Sequence, residues 1–442
     1  MRSSIRHLAT VVVATVLVTT SCTSGSDPSE SEGPDVSTGD ESPARIAPAN
    51  AINEIDPNRT DYFRVSQTGG EAIEAAPNCA SEPDNRLVIG GLLPQTGKLS
   101  YLEPAQSAAI ELALDDISKS VNSSGREVVY LPGDSGSSDS VLKTTQAHID
   151  NGADVIFGPP SSTLSKQITT EVTGACRIQM SAANTAIGFN AIEENQLYFR
   201  TAPSDQLQGQ ALSDLVAKSG ARNVAIISEQ GQYGDALAGY TAAAFNLANI
   251  AVVQTTYDPK AVDFNTVTDV ATKGDPDAFV IIGFEESGQI LKELLDRGTP
   301  TDMIYLSDGN AGNALGENFT VANELDGIRG VLPGAEVTSK FKRELTQLDE
   351  DIADFSFSPE TYDAIIIIAL AAELAQSDAA PAIASKINGV TSGGARCTSF
   401  AQCEGLILSG ETDIDYDGIS GPLSFSSAGQ PTVATFSVVE FG

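Results

Sequence analysis

The sequence predicts an α/β protein made of two successive blocks, each a parallel sheet flanked by helices. Two observations carry that prediction. From residue 87 onward, short apolar runs of strand length alternate with stretches whose apolar residues recur at helical spacing. The alternation then starts again at Val224, so it reads as two sets of βαβ units. A third observation bears on function. Small polar clusters follow several of the strands, where open parallel sheets bind their ligands.

Taken in order, Leu87-Val88-Ile89-Gly90-Gly91-Leu92-Leu93 is the first strand. Residues 105–117 follow as a helix, with Ala108, Leu112 and Ile117 on one face. Val128-Val129-Tyr130-Leu131 is a strand, 141–149 a helix, and Ala153-Asp154-Val155-Ile156-Phe157-Gly158 a strand. The second block has strands at Val224-Ala225-Ile226-Ile227 and Ala251-Val252-Val253 around a helix at 234–247. Ala278-Phe279-Val280-Ile281-Ile282-Gly283 is its next strand, followed by a helix at 288–297 and a strand at Met303-Ile304-Tyr305-Leu306. The blocks meet near Tyr198-Phe199-Arg200-Thr201-Ala202-Pro203. A long helix is expected at 360–375, and strands resume over 421–440. The polar clusters are Ser161-Ser162-Thr163, Ala183-Asn184-Thr185 and Ser307-Asp308-Gly309-Asn310. Two facing sheets would gather them around one cleft.

Ahead of residue 87 the chain changes character. Met1-Arg2-Ser3-Ser4-Ile5-Arg6 is basic, and the apolar run 8–18 is too short to span a bilayer. Thr19-Thr20-Ser21-Cys22 comes next. A small residue before a single Cys at the end of an export signal resembles a bacterial lipobox. That resemblance implies a lipoprotein signal peptide over 1–21 and acylation of Cys22. Several acyl chains on one residue hold a protein to a membrane where a single chain is marginal. Residues 22–50 are rich in Ser, Gly, Pro, Asp and Glu, the composition of a flexible tether. Residues 51–86 have no clear period and are expected to pack as an N-terminal extension on the first lobe.

Beyond Cys22 the chain keeps Cys79, Cys176, Cys397 and Cys403. An even number in an exported chain predicts two disulfides. Three pairings are open. The local pair Cys397–Cys403 is favoured, and Cys79–Cys176 would then follow. No C-x-x-C spacing occurs, which speaks against zinc or thioredoxin-like chemistry. The net charge of -34 disfavours nucleic acid and peripheral docking on anionic lipid.

Several motifs, in order and spacing, resemble one family. Ile89-Gly90-Gly91-Leu92-Leu93-Pro94-Gln95-Thr96-Gly97 looks like its opening strand and turn. Phe157-Gly158-Pro159-Pro160-Ser161-Ser162 looks like its serine-bearing loop, and the segment from Tyr198 to Pro203 like its first crossover. Tyr233-Gly234-Asp235-Ala236-Leu237-Ala238 and Gly421-Pro422-Leu423-Ser424-Phe425 complete the set. From residue 87 to the C-terminus the chain resembles the type I periplasmic binding proteins, in their leucine/isoleucine/valine-binding branch. The resemblance implies two Rossmann-like lobes joined by three crossover strands near 201–203, 330–334 and 421–422. Lobe 1 would be 87–201 with 335–420, and lobe 2 would be 202–334 with 421–442.

The resemblance also implies an extracytoplasmic solute-binding role for an ABC importer, with permease subunits as partners and no cofactor. Its cleft holds an α-amino acid, or a related amide, by both charged ends. A carboxylate needs hydroxyls and main-chain N–H groups at helix N-termini. Ser162, Ala183 and Thr185 match those positions, with Asn184 between them. An α-ammonium needs an acidic acceptor, and Asp308 falls where the family places one. Tyr233, Phe284 and Tyr101 match aromatic residues that cover the ligand or line its side-chain pocket. A ligand sensor with the same cleft, signalling to a membrane partner, is the alternative.

Two other chemistries have weaker signals. Asp413-Ile414-Asp415-Tyr416-Asp417-Gly418 has the opening spacing of a calcium loop, but its twelfth position is Ser424 rather than Glu. It reads as a solvated turn, and no metal site is expected. The mature chain keeps one histidine, His148, expected on a helix surface, and no hydrolase motif such as G-x-S-x-G. An exported hydrolase is therefore a remote alternative.

Overall fold

The first described element is a short strand, β1 (Tyr62–Ser66). The computed structural model describes that strand and residues 79–442, with short breaks at 121–124, 192–193, 317, 322, 335–336 and 427–428. Residues 1–21, expected as a signal peptide, Cys22, and the expected tether to residue 50 lie outside the described residues. Among the described residues no helix is long and apolar enough to cross a membrane.

Strands β2 (Arg86–Gly91), β3 (Glu127–Leu131), β4 (Val155–Phe157), β5 (Ile178–Ser181) and β6 (Tyr198–Arg200) form the first sheet, in the order β3-β2-β4-β5-β6. All its pairings are parallel. Leu87 and Ile89 are shielded on one face and Val88 on the other, as a strand covered by helices on both sides requires.

The second sheet repeats the plan. Strands β7 (Asn223–Glu229), β8 (Ala251–Tyr257), β9 (Ala278–Ile282), β10 (Ile304–Leu306) and β11 (Arg329–Pro333) run parallel in the order β8-β7-β9-β10-β11. Relative to the chain, both sheets are ordered 2-1-3-4-5. Each therefore has its switch point beside its first strand, where open α/β sheets open a ligand crevice. A small sheet, β12 (Ala395–Cys397), β13 (Ile414–Gly418) and β14 (Gly421–Pro422), follows. The last strand, β15 (Val433–Glu440), returns antiparallel beside β11.

The N-terminal extension departs from expectation. β1 pairs antiparallel with β15 on the edge of the second sheet, not with the first lobe. The edge of β15 offers unpaired main-chain groups, and β1 covers them. Further along, the extension does meet the first lobe. Cys79 is bonded to Cys176, and the carboxylate of Asp378 accepts from the N–H groups of Asp84 and Arg86 at 2.9 and 3.2 Å. The second disulfide joins Cys397 and Cys403.

The helix Ser358–Ala375 lies at the centre of the first core. Residues 364–372 are at most 3% exposed, and Ile365, Ile367 and Leu370 cluster with Leu87, Phe157 and Phe199. A helix apolar on every side has to be enclosed, which is why 358–375 belongs with the first sheet despite its distance in sequence. Leu423 and Phe425 also join this core, and Phe425 meets Phe199 edge-on at 6.1 Å. The final crossing therefore lies beyond Phe425. The expected crossovers at 201–203 and 330–334 meet around Glu360, which shares a small cavity with Thr201, Pro203, Gly334 and, from beyond Phe425, Pro431 and Ala434. The Thr201 hydroxyl donates to the Glu360 carbonyl at 2.8 Å.

Two further expectations are corrected. His148 is buried, with Nε2 3.0 Å from the Gly91 carbonyl oxygen, and burial lowers its pKa. Its ring packs where a Cβ at Gly90 would stand, so Gly90 is what admits it. The calcium-like segment is strand β13 rather than a loop, and Asp417 is ion-paired with Arg396.

Candidate functional site

The carboxyl ends of both sheets face one narrow cavity. From the first lobe it is lined by Leu99, Tyr101 and Leu102 after β2, Pro160 and Ser162 after β4, and Ala183 and Thr185 after β5. From the second it is lined by Tyr233 after β7, Phe284 after β9, and Asp308 and Gly309 after β10. Phe357, just before the central helix, completes the wall. Seven of the eight expected residues thus come together: Tyr101, Ser162, Ala183, Thr185, Tyr233, Phe284 and Asp308.

Ser162 opens the helix Ser162–Gly174, but it is not the cap. Ser161 takes that role, accepting from the Leu164 N–H at 3.3 Å. The Ser162 oxygen accepts only a long contact, 3.5 Å, from the Ala186 N–H. Its hydroxyl proton is left to donate into the cavity, beside the positive end of the helix. The Ala183 N–H is engaged by the Ser181 hydroxyl at 3.3 Å, so a ligand acceptor would have to share it.

Asn184 is not on the wall. Its amide donates to the carbonyls of Pro159 and Pro160 at 2.9 and 2.8 Å, and its oxygen accepts from the Tyr198 hydroxyl at 3.0 Å. It fixes the loop that carries Ser162 rather than pointing at the cavity.

On the opposite wall the turn after β10 is held by Asn310, whose Oδ1 accepts from the Ser307 N–H at 3.0 Å. Asp308 is thereby spared the turn role and is directed to Tyr233. The Tyr233 hydroxyl donates to Asp308 Oδ1 at 2.6 Å and lies 2.7 Å from the Ser307 hydroxyl. Tyr233 and Phe284 stack with centroids 5.0 Å apart.

The cavity is electronegative. None of its twelve lining residues is Lys, Arg or His. Burial pushes the Asp308 carboxyl up, against the hydrogen bond from Tyr233. Burial, then the nearby acid, raises the Tyr233 phenol well above its usual range. Behind Asp308 lies Asp205, an acid that sequence reasoning missed. It is 0% exposed. Burial and Asp308 push it up to about 8, against the pull of Thr185 and Arg200. Arg200, itself fully buried, donates from Nη1 to the carbonyls of Asn184 and Ala186, both at 2.9 Å, while its Nε and Nη2 have no hydrogen-bond partner.

The lobes touch across the cleft. The Tyr101 hydroxyl donates to the Gly309 carbonyl at 3.1 Å, and Lys166 reaches Gln232 at 3.0 Å. Lys98 donates to the Pro259 carbonyl at 2.6 Å and pairs with Glu286 at 3.3 Å. Such an arrangement can enclose a small molecule between a donor-bearing wall and an acid-bearing one.

Two α/β lobes with a cleft between their strand ends define a type I periplasmic binding protein fold. The chain belongs to the family described as receptor family ligand binding region, whose model matches residues 105–442. A leucine-binding protein from Thermotoga maritima superposes with a TM-score of 0.67 at 18% identity, covering 80% of this chain and 97% of that one. A branched-chain amino acid transporter substrate-binding protein from Streptococcus pneumoniae, solved with isoleucine, gives 0.65 at 18% identity over 81% and 99%. A solute-binding protein of an ABC transporter from R. palustris, solved with benzoate, gives 0.65 at 16% identity over 81% and 93%. By sequence, an uncharacterized protein from Methanocaldococcus jannaschii is 25% identical over 252 residues, 54% of this chain. The match spans 60% of that relative's length.

Proposed function

We propose that this protein is the extracytoplasmic solute-binding component of an ABC importer and captures an amino acid in the interlobe cavity. The observation that carries the proposal is the facing pair of walls. Ser162 and Thr185 stand on the first lobe, and Asp308, held by Tyr233, stands on the second. A zwitterion laid between them meets donors at its carboxylate and an acid at its ammonium. Only the closed arrangement offers both, so binding favours closure. The crossover segments around Glu360 act as the hinge. The closed form then docks on a permease, and Cys22, acylated, holds the protein at the membrane. The amino acid ligands of the T. maritima and S. pneumoniae proteins support this reading.

Calorimetry of the protein against amino acids, amides and urea tests the proposal. The expected result is saturable binding of at least one α-amino acid, lost when either its carboxylate or its ammonium is blocked. Binding indifferent to both blocks would contradict it.

A further inference from the structure

Behind the first-lobe wall of the cavity lies a buried cation. Arg200, the last residue of β6, is 0% exposed. Its Nη1 donates to two main-chain carbonyls and its other nitrogens have no hydrogen-bond partner, so no carboxylate answers it by a hydrogen bond. A guanidinium keeps its charge even when buried. The acid that acts on it, Asp205, is raised to about 8, by burial first and then by Asp308. At neutral pH Asp205 is therefore mostly protonated and leaves the charge of Arg200 largely uncancelled.

The two carbonyls held by Arg200 are those of Asn184 and Ala186, and they bracket Thr185, which lines the cavity. The Asn184 carbonyl belongs to the same peptide unit as the Thr185 N–H, and that peptide is trans. In a planar trans peptide the two groups point opposite ways. Pinning the oxygen on Arg200 therefore turns the Thr185 N–H away from the guanidinium. That N–H has no acceptor among the described residues. The Thr185 carbonyl accepts from the Asp205 N–H at 2.8 Å, so the carbonyls of 184, 185 and 186 are all engaged. Ala186 links the arrangement to Ser162, since its N–H makes the 3.5 Å contact with the serine oxygen. What the main chain at Thr185 has left to offer a ligand is a donor.

We propose that Arg200 is the positioning residue for the carboxylate end of the site: it aims the Thr185 N–H at the cavity and places a buried positive charge one peptide behind it. This inference rests on the reading of the cleft as an amino acid site. A cation at the carbonyl end of a peptide favours the orientation that puts the positive end toward the ligand, and a buried charge reaches further than one in water. The cleft thereby gains a polarity, with Arg200 behind the first wall and Asp308 on the second. An ionised carboxylate gains from that polarity, and a neutral carboxamide of the same shape does not.

The test is calorimetry of the wild type and of Arg200→Met against the standard amino acids, then against the carboxamide of the tightest binder. In the wild type the acid should bind at least ~tenfold more tightly than its amide. In Arg200→Met that ratio should fall to within about twofold. A residue that merely holds the loop would weaken acid and amide by the same factor. An unchanged ratio in the variant therefore overturns the proposal and leaves amino acid capture standing. A wild type that binds the amide as tightly as the acid overturns it as well. If no standard amino acid binds, the reading of the cleft falls with it. Should Arg200→Met not fold, NMR of the wild type decides. The Thr185 amide proton should move downfield further with the acid than with the amide, and equal shifts would overturn the proposal.

Discussion

The phenol of Tyr233 donates to Asp308 at 2.6 Å, and both side chains are at most 4% exposed. The acid is thus already aimed before a ligand arrives. Replacing it removes the one lining carboxylate, so Asp308→Ala should weaken binding of any α-amino ligand by about 2–5 kcal/mol. Tyr233→Phe keeps the ring and loses the donor, and should cost about 1–3 kcal/mol. Calorimetry on both variants checks this. An unchanged affinity in Asp308→Ala would remove the acid from the site.

Lys98 is a bridge rather than a wall. It reaches from the first lobe to the Pro259 carbonyl and Glu286 on the second without lining the cavity that holds Asp308. Lys98→Met should therefore shift closure and leave the ligand's own contacts intact. Because the pair is half exposed on the lysine side, its contribution is modest, about 0–1 kcal/mol. The effect should fall on the dissociation rate, measured by stopped flow, rather than on the association rate. A slower association with an unchanged dissociation rate would contradict the bridge.

Stability should fall as pH rises from 5 to 9. Burial raises Asp205 and Glu360 to about 8 each, whereas an unfolded chain's carboxyls titrate near 4. Between those values the folded state binds more protons, so the stabilisation is complete below about pH 4 and is lost as pH passes through about 8. Thermal melts of the ligand-free protein across this range should show the decline. Asp205→Asn and Glu360→Gln should each flatten it. A melting temperature that rises from pH 5 to 9 would contradict the assignment.

The two disulfides should differ in weight. Cys79–Cys176 closes 97 residues and Cys397–Cys403 only 6. In the chain-entropy account the first stabilises by about 4–5 kcal/mol and the second by about 2. Denaturant unfolding of the two double Cys→Ser variants measures this, and an equal loss would show that loop length is not the governing factor.

Much of this was legible in the sequence because local pattern and tertiary demand agree. Strands such as β4 and β9 are unbroken apolar runs, and the polar clusters after β4, β5 and β10 stand at their carboxyl ends as parallel sheets require. What stayed hidden depends on contacts distant in sequence. β1 has no pattern of its own and exists because β15 presents an edge. His148 looked like a surface residue because the space for its ring is made by Gly90, 58 positions away. Asn184 sits among site residues in sequence, yet its amide meets the proline carbonyls that precede Ser162. Leu99, Leu102 and Phe357 carry no motif, and Asp205 is among so many acids that only burial distinguishes it.

The central claim is that a zwitterion lies between the donors of one lobe and Asp308 of the other. Mass spectrometry of the protein purified without unfolding, compared with Asp308→Ala, tests it most directly. The account predicts a co-purifying molecule that bears both an amine and a carboxylate and is missing from the variant. A retained molecule lacking an amine, or one held equally by the variant, would contradict it.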